Sequence, residues 1–225
     1  MKNKKDVCVI VQARLGSQRV PRKMLRPLAG TTLLEIMFNK ISQCKSFSKE
    51  DFFLSAWEEE IKFVAKKHKI NVFNRSERSA NSEGTPMTEM YEWWNRLPYE
   101  YCILINACAP FLKSQTIDRF YESYCSSDSD GMFGVMGKKN YFWNSSGKLI
   151  TPLTEDVMNT KTVETTYEAA HCLYAGRLDR IGGNVWMGDF SDPGDIELFN
   201  MEEQECFDID YEWQFTMAEK MLGAK

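Results

Sequence analysis

The chain has 225 residues, of which 43% are hydrophobic and 27% charged, with a formal net charge of −4. These are ordinary globular values, which support a sizeable core and exclude chain-wide disorder. No apolar run approaches the ~18–20 residues of a membrane span, and an acidic balance with one short basic segment argues against a nucleic-acid binder.

The N-terminus is charged (Lys2, Lys4, Lys5) and then enters Val7-Cys8-Val9-Ile10-Val11, the β-branched run expected of a strand buried on both faces. That run is too short for a signal-peptide core and no small-residue cleavage site follows, so a cytoplasmic protein is expected. Seven cysteines without a C-x-x-C pair fit a reducing compartment. Cys8, Cys102, Cys108 and Cys172 lie in or beside apolar runs and read as small buried hydrophobes.

After a loop, Thr32-Leu33-Leu34-Glu35 is a capping box that opens an amphipathic helix with Leu33, Leu34, Met37 and Ile41 on one face. Asp51–Ala56 reads as a second strand, 58–69 as a polar-faced helix and Asn71–Asn74 as a third strand. Thr85-Pro86 starts a helix running to about Leu97. Tyr101–Ala107 is another buried strand, Ser114 caps a helix to about Tyr124, and Gly131–Met136 is strand-like. The alternation predicts an α/β protein, a three-layer sandwich with a mostly parallel Rossmann-like sheet between helices.

Beyond Lys138 the pattern changes. Tyr141-Phe142-Trp143 and Lys148-Leu149-Ile150 flank Asn144-Ser145-Ser146-Gly147 as a hairpin would, and the Asn-Ser-Ser sequon reads as a turn. Ala170–Tyr174 returns to strand, Phe207–Asp210 is a last short strand, and a helix follows from about Tyr211 to Leu222. With no repeat or linker, residues 1–225 read as a single domain. An arm inserted at about 138–170 is of a kind that packs against a second subunit, so a small dimerisation arm and a homodimer are expected.

Chemistry concentrates at two places. Val11 to Leu25 follows the first strand, where ligands sit in open α/β sheets. Gly16 and Ser17 permit a tight turn with exposed backbone N–H groups suited to phosphate oxygens. Arg14, Arg19 and Lys23 supply cations, and Pro21 stiffens the return. The segment is neither a Walker loop nor G-x-G-x-x-G. At the other end, alternation in Phe207-Asp208-Ile209-Asp210 puts both carboxylates on one side, as hard oxygen ligands for Mg²⁺ or another divalent cation. Charge is split along the chain: residues 1–26 carry eight Lys or Arg and one acid, and residues 189–212 carry ten Asp or Glu and no Lys or Arg. Asn106, at a strand end, is either a polar contact for a ligand or the residue that closes a turn. Trp93, Trp94 and Trp143 read as core or interface rather than a stacking platform.

Ala13, Arg14, Ser17, Arg19, Pro21, Lys23 and Leu25 spell A-R-x-x-S-x-R-x-P-x-K-x-L. This resembles the signature of the sugar-acid cytidylyltransferases: the acylneuraminate (CMP-sialic acid synthetase) family, the CMP-Kdo synthetases and the spore-coat SpsF-like proteins. The resemblance implies a nucleotide-diphospho-sugar transferase fold. It implies nucleotide binding by Ala13, Arg14, Gly16, Ser17, Arg19 and Lys23. Arg75 and Arg78 look like the family's arginine-containing segment, and Asn106 like the polar residue of a turn that lines the nucleotide and sugar sites. Ala107 and Cys108 stand where the Kdo branch has a metal-binding Asp, which points away from that branch. Asp208 and Asp210 resemble the family's metal-holding D-x-D, and Glu168 and His171 fall where relatives contact sugar. The implied reaction is CTP plus a 2-keto-3-deoxy sugar acid of the sialic, legionaminic or pseudaminic type, giving a CMP-sugar and pyrophosphate. Arg14, Lys23 and Asp210 are the expected catalytic residues. The alternatives are another nucleoside triphosphate, another acceptor such as a phosphonate or sugar phosphate, a non-catalytic nucleotide- or sugar-binding protein, or a glycosyltransferase.

Overall fold

The computed structural model describes residues 1–81, 83–152 and 159–223. Strand β1 (Val7–Gln12) is fully buried from Val7 to Val11. Its side chains alternate between two cores: Val7, Val9 and Val11 pack on one face of the sheet, Cys8 and Ile10 on the other. Helix α1 (Leu33–Gln43) buries Leu33, Leu34, Met37, Phe38 and Ile41 in the first core. The Thr32 hydroxyl accepts from the Glu35 N–H at 3.2 Å and donates to the Glu35 carboxylate at 3.0 Å. Thr32→Ala is therefore expected to cost about 1 kcal/mol of stability, seen as a lower urea midpoint at unchanged slope.

Strand β2 (Phe52–Ala56), helix α2 (Glu59–Lys67) and strand β3 (Asn71–Asn74) follow as anticipated, and then the short helices α3 (Glu77–Ala80) and α4 (Met87–Met90). The long helix expected from Thr85 to Leu97 is broken. α4 ends at Tyr91, and Glu92–Asn95 form a 3-10 turn. Packing overrides helical propensity here: Trp93 is completely buried in the second core, with Tyr91 at 5.5 Å between ring centroids. At the break the Met90 carbonyl accepts from Gln12 Nε2 and Ser79 Oγ.

Strand β4 (Tyr101–Ile105) repeats the two-faced pattern of β1. Helix α5 (Ser114–Ser126) begins at Ser114 itself, with Lys113 as its cap residue, so Ser114 is not the cap. The Lys113 N–H is taken by the buried carboxylate of Glu205. Strand β5 (Gly131–Lys138) leads into the insertion, and strand β6 (Thr166–Arg177) leaves it. Helix α6 (Leu178–Gly182), strand β7 (Ile196–Asn200) and helix α7 (Glu212–Gly223) complete the chain.

The sheet order is β3-β2-β1-β4-β6-β5-β7. All pairings are parallel except those of β6, which runs antiparallel to β4 and β5. The chain returns beside β5 through the insertion instead of a helical crossover, and that reverses β6. The α/β expectation holds. Strand β7 is an edge strand that the sequence pattern did not announce, and Phe207–Asp210 is not a strand, being held against the turn after β4 instead of alongside a strand. Residues 207–210 cross the carboxyl end of the sheet in extended form, tied by Ile209 N–H to the Cys108 carbonyl at 3.0 Å.

Within the insertion, Trp143 and Leu149 form a single antiparallel bridge. Asn144 Oδ1 accepts from the N–H groups of Ser146 and Lys148, so the sequon is a turn. Trp143 and Ile150 are 54% and 62% exposed. Residues 153–158 of the expected arm lie outside the described residues. All seven cysteines are free. Among the described residues no helix is long and apolar enough to cross a membrane.

Candidate active site

The carboxyl ends of β1 and β4 and the start of β6 open onto three adjoining cavities. The first, of about 610 Å³, is lined by the loop after β1: Ala13, Arg14, Gly16, Ser17, Arg19 and Lys23, with Asp210 across from them. The loop turns tightly at Gly16, as expected, with the Ser17 N–H on the Leu15 carbonyl at 2.8 Å. Gly16 is not in the left-handed region, and a Cβ there would meet open space. The sharp reversal comes at Pro21-Arg22, where Arg22 has φ 55° and Lys23 N–H returns to the Val20 carbonyl. What Gly16 supplies is an uncluttered surface for a ligand, not a backbone angle.

The basic start and acidic end of the chain meet at this cavity. Lys23 Nζ donates to the Ile209 carbonyl at 2.6 Å and lies 3.4 Å from Asp210 Oδ1; Arg19 reaches the same oxygen at 2.8 Å. One turn further, Arg26 pairs with Glu212 at 2.7 Å. Asp208 and Asp210 sit on one side of the segment, and Ile209 is buried on the other. The predicted alternation holds for Ile209, whereas Phe207 lines the largest cavity beside both carboxylates.

Asp208 Oδ1 is buried and finds no hydrogen-bond partner among the described residues. Burial, and then the neighbouring Asp210, push the Asp208 carboxyl above the ordinary carboxylate range, against the opposing pull of Lys23 and Asn106. An unpartnered carboxylate oxygen with a second carboxylate two residues on suits a hard divalent cation. Among the described residues no cluster of three or more His, Cys, Asp or Glu forms a metal site by itself. The remaining oxygen ligands of a cation here would come from a bound phosphate or water.

A second cavity, of about 300 Å³, lies between the ends of β1 and β4 and the α3–α4 region, with Gln12, Arg14, Arg75, Ser79, Tyr91 and Trp186 among its walls. Arg75 is 5% exposed and donates from Nη2 to the Ala13 carbonyl at 2.9 Å; burial lowers its pKa to about 10. Arg14 anchors one guanidinium nitrogen on the Ala80 carbonyl at 3.1 Å. Arg78 is turned outward, paired with Glu89.

The third cavity is the largest, about 1210 Å³, and takes in Asp208, Asp210, Glu168 and His171 together with Phe111 and Trp213. Phe111, Phe207 and Trp213 form a continuous aromatic wall, with centroid separations of 5.6 and 6.4 Å. Glu168 is exposed, 3.8 Å from Lys138 Nζ. His171 lines both this cavity and the second, and it is held at φ 54°, an uncommon conformation for a strand residue. Its Nδ1 lies 2.8 Å from the Tyr174 hydroxyl.

Asn106 lines the second cavity, and each of its amide atoms makes one bond within the protein, with a second donor and acceptor left over. Oδ1 accepts from Cys108 N–H and Nδ2 donates to the His171 carbonyl, each at 2.9 Å. Of the two roles weighed for it, closing the turn is the one its bonds display. Trp93 is core, and Trp143 is exposed on the arm. Sequence reasoning missed Gln12, Tyr91, Trp186 and Glu58. Gln12 is the last residue of β1 and Glu58 the second residue after β2, so both lie at the carboxyl ends of parallel strands, a position that marks them once the strands are assigned. The two aromatics carry no such signal.

A sequence profile of the family described as Cytidylyltransferase matches residues 8–179, from β1 into α6. Post-translational flagellin modification protein B of Campylobacter coli is 22% identical over 232 residues, covering 98% of this chain and 96% of that protein. The 3-deoxy-manno-octulosonate cytidylyltransferase of Rickettsia felis is 29% identical over 129 residues, covering 56% of this chain and 50% of that one. Among solved structures, CMP:2-keto-3-deoxy-manno-octonic acid synthetase complexed with CTP superposes with a TM-score of 0.71 over 97% of this chain and 98% of that chain. At 10% identity that likeness is one of fold.

Proposed function

The chain belongs to the cytidylyltransferase family, a class of nucleotidyltransferase, and from that premise we propose that it activates a 2-keto-3-deoxy sugar acid with CTP, releasing pyrophosphate and a CMP-sugar for surface glycan synthesis. The observation that carries this reading is the junction at Asp210. The signature loop and the acidic segment close on one cavity there, with Lys23 and Arg19 both reaching the same carboxylate. The octulosonate relative, named for a keto-deoxy sugar acid, supports such an acid as acceptor.

In this reading the loop cavity takes the triphosphate, the cavity at Arg75 takes the base, and the large cavity takes the sugar acid. Arg14, Arg19 and Lys23 neutralise the phosphates and the developing charge on the leaving pyrophosphate. Asp208 and Asp210 would hold Mg²⁺, which supplies charge neutralisation at the α-phosphate and a more acidic attacking hydroxyl when bound. Glu168 and His171 face the acceptor, and His171 stands where acceptor and base cavities meet. The exposed Trp143 and Ile150 support a homodimer formed through the arm.

The test is pyrophosphate release from CTP, UTP, GTP and ATP, each offered sialic-type acids, Kdo and a sugar 1-phosphate, with and without Mg²⁺. Turnover is expected with CTP and a keto-deoxy acid in the presence of Mg²⁺. Turnover confined to a sugar phosphate, or to a different nucleotide, would overturn the assignment.

A further inference from the structure

Glu58 is the second residue after β2, following Trp57, and the cap residue of α2, yet its side chain makes no capping hydrogen bond to that helix. It turns instead toward the signature loop, where Oε1 accepts from the Leu15 N–H at 2.7 Å. Its other oxygen, Oε2, is buried and has no partner among the described residues. A carboxylate beneath an anion-binding loop opposes phosphate electrostatically, so its place there calls for a geometric reason. A second contact supplies one. Arg75, the next charged side chain inward, donates to the Ala13 carbonyl, and its Nε is likewise buried without a partner. The buried Arg75 and the half-buried Glu58 attract each other, and Glu58 is the first of the neighbours that raise the Arg75 pKa against burial. The peptide before Arg14 is thus held at its carbonyl by Arg75, and the amide that follows Arg14 is held by Glu58. The end of β2 adds a third tie, Ala13 N–H to the Ser55 carbonyl at 3.1 Å.

We propose that Glu58 is a positioning residue for nucleotide binding: with Arg75 it brackets the backbone of Arg14 and fixes the direction in which that guanidinium enters the loop cavity. The proposal rests on reading that cavity as the nucleotide site. Glu58 itself does not touch the nucleotide; it acts through Arg14. Misplacing one phosphate ligand by about an ångström is enough to cost about 10–100-fold.

Glu58→Asp separates this role from a structural one. Aspartate is a good helix cap and retains the charge, so α2 keeps or gains stability, while the shorter side chain withdraws from the Leu15 N–H. Glu58→Gln keeps a carbonyl oxygen at full reach. Binding of CTP is measured by calorimetry on the full chain, alongside thermal unfolding. Glu58→Asp is expected to raise the Kd for CTP about 10-fold or more with no loss of melting temperature, and Glu58→Gln to stay within about 3-fold of the parent. Combined with Arg14→Ala, Glu58→Asp should add less than about 2-fold, because both changes act on one group. Unchanged CTP affinity in a folded Glu58→Asp protein would overturn the proposal, and so would an undiminished effect in the Arg14→Ala background. A parent chain that binds no CTP would remove the nucleotide reading itself, an outcome visible before any variant is compared.

Discussion

Replacing Asp210 with alanine is expected to lower kcat by about three orders of magnitude while leaving the fold intact. Asp210 accepts from Arg19 and Lys23 at the meeting point of the loop and the acidic segment, and with Asp208 it forms the proposed cation site. The segment is fixed independently of this carboxylate, by Ile209 N–H to Cys108 and by Lys23 to the Ile209 carbonyl. Asp210 is also partly exposed, so its truncation opens no core cavity. The variant has a second signature. Removing one carboxylate releases Arg19 and Lys23 and lowers the repulsion felt by a triphosphate. CTP binding measured without divalent cation should therefore tighten as turnover collapses. A merely damaged site would lose both, and near-parental kcat would show that Asp210 is not part of the chemistry.

Arg14→Ala is expected to lower kcat/KM for CTP by about 100-fold or more, with KM for the acceptor little changed. Arg14 lines both the loop cavity and the cavity at Arg75. Its one hydrogen bond among the described residues, from Nη1 to the Ala80 carbonyl, sets the orientation of the guanidinium and leaves further N–H donors for phosphate oxygens. Arg14→Lys should recover only part of the loss, because an ammonium spent on Ala80 lacks the planar fork that engages two oxygens at once. The side chain is half-buried on a loop, so the unfolding midpoint should stay close to that of the parent. Equal losses for CTP and acceptor would place Arg14 outside the nucleotide half of the site.

The parts of the fold that could be read in advance are those governed by local pattern. Val7–Val11 and Tyr101–Ile105 are continuous apolar runs because both faces of their strands are covered, and Thr32-x-x-Glu35 starts a helix because its side chains satisfy each other locally. The failures share one cause. At 85–97 a helix-forming stretch is broken by the burial of Trp93, an event fixed by residues far away in sequence. Phe207–Asp210 has the spacing of a strand, but whether a strand forms depends on lying alongside another, and tertiary packing sets this segment against the turn at Cys108. In β7 itself all five residues are exposed or half-exposed, so no alternation announces it.

The same division runs through the site. Its chemical inventory was legible by itself: Arg14, Arg19 and Lys23 with a signature spacing at one end, and two carboxylates on one side of an extended segment at the other. Residue type fixes charge, hydrogen-bonding capacity and affinity for phosphate or divalent cation, and those properties do not depend on the fold. Distance and burial do. Only the tertiary structure decided that Asp210 faces Lys23 across the end of the sheet, and that the Asn106 amide ties the turn to β6. It also decided that His171 is held in a left-handed conformation between two cavities, and that Glu58 leaves its own helix to hold the loop. Each of these depends on long-range packing that joins segments far apart in the chain, and sequence spacing carries no record of it.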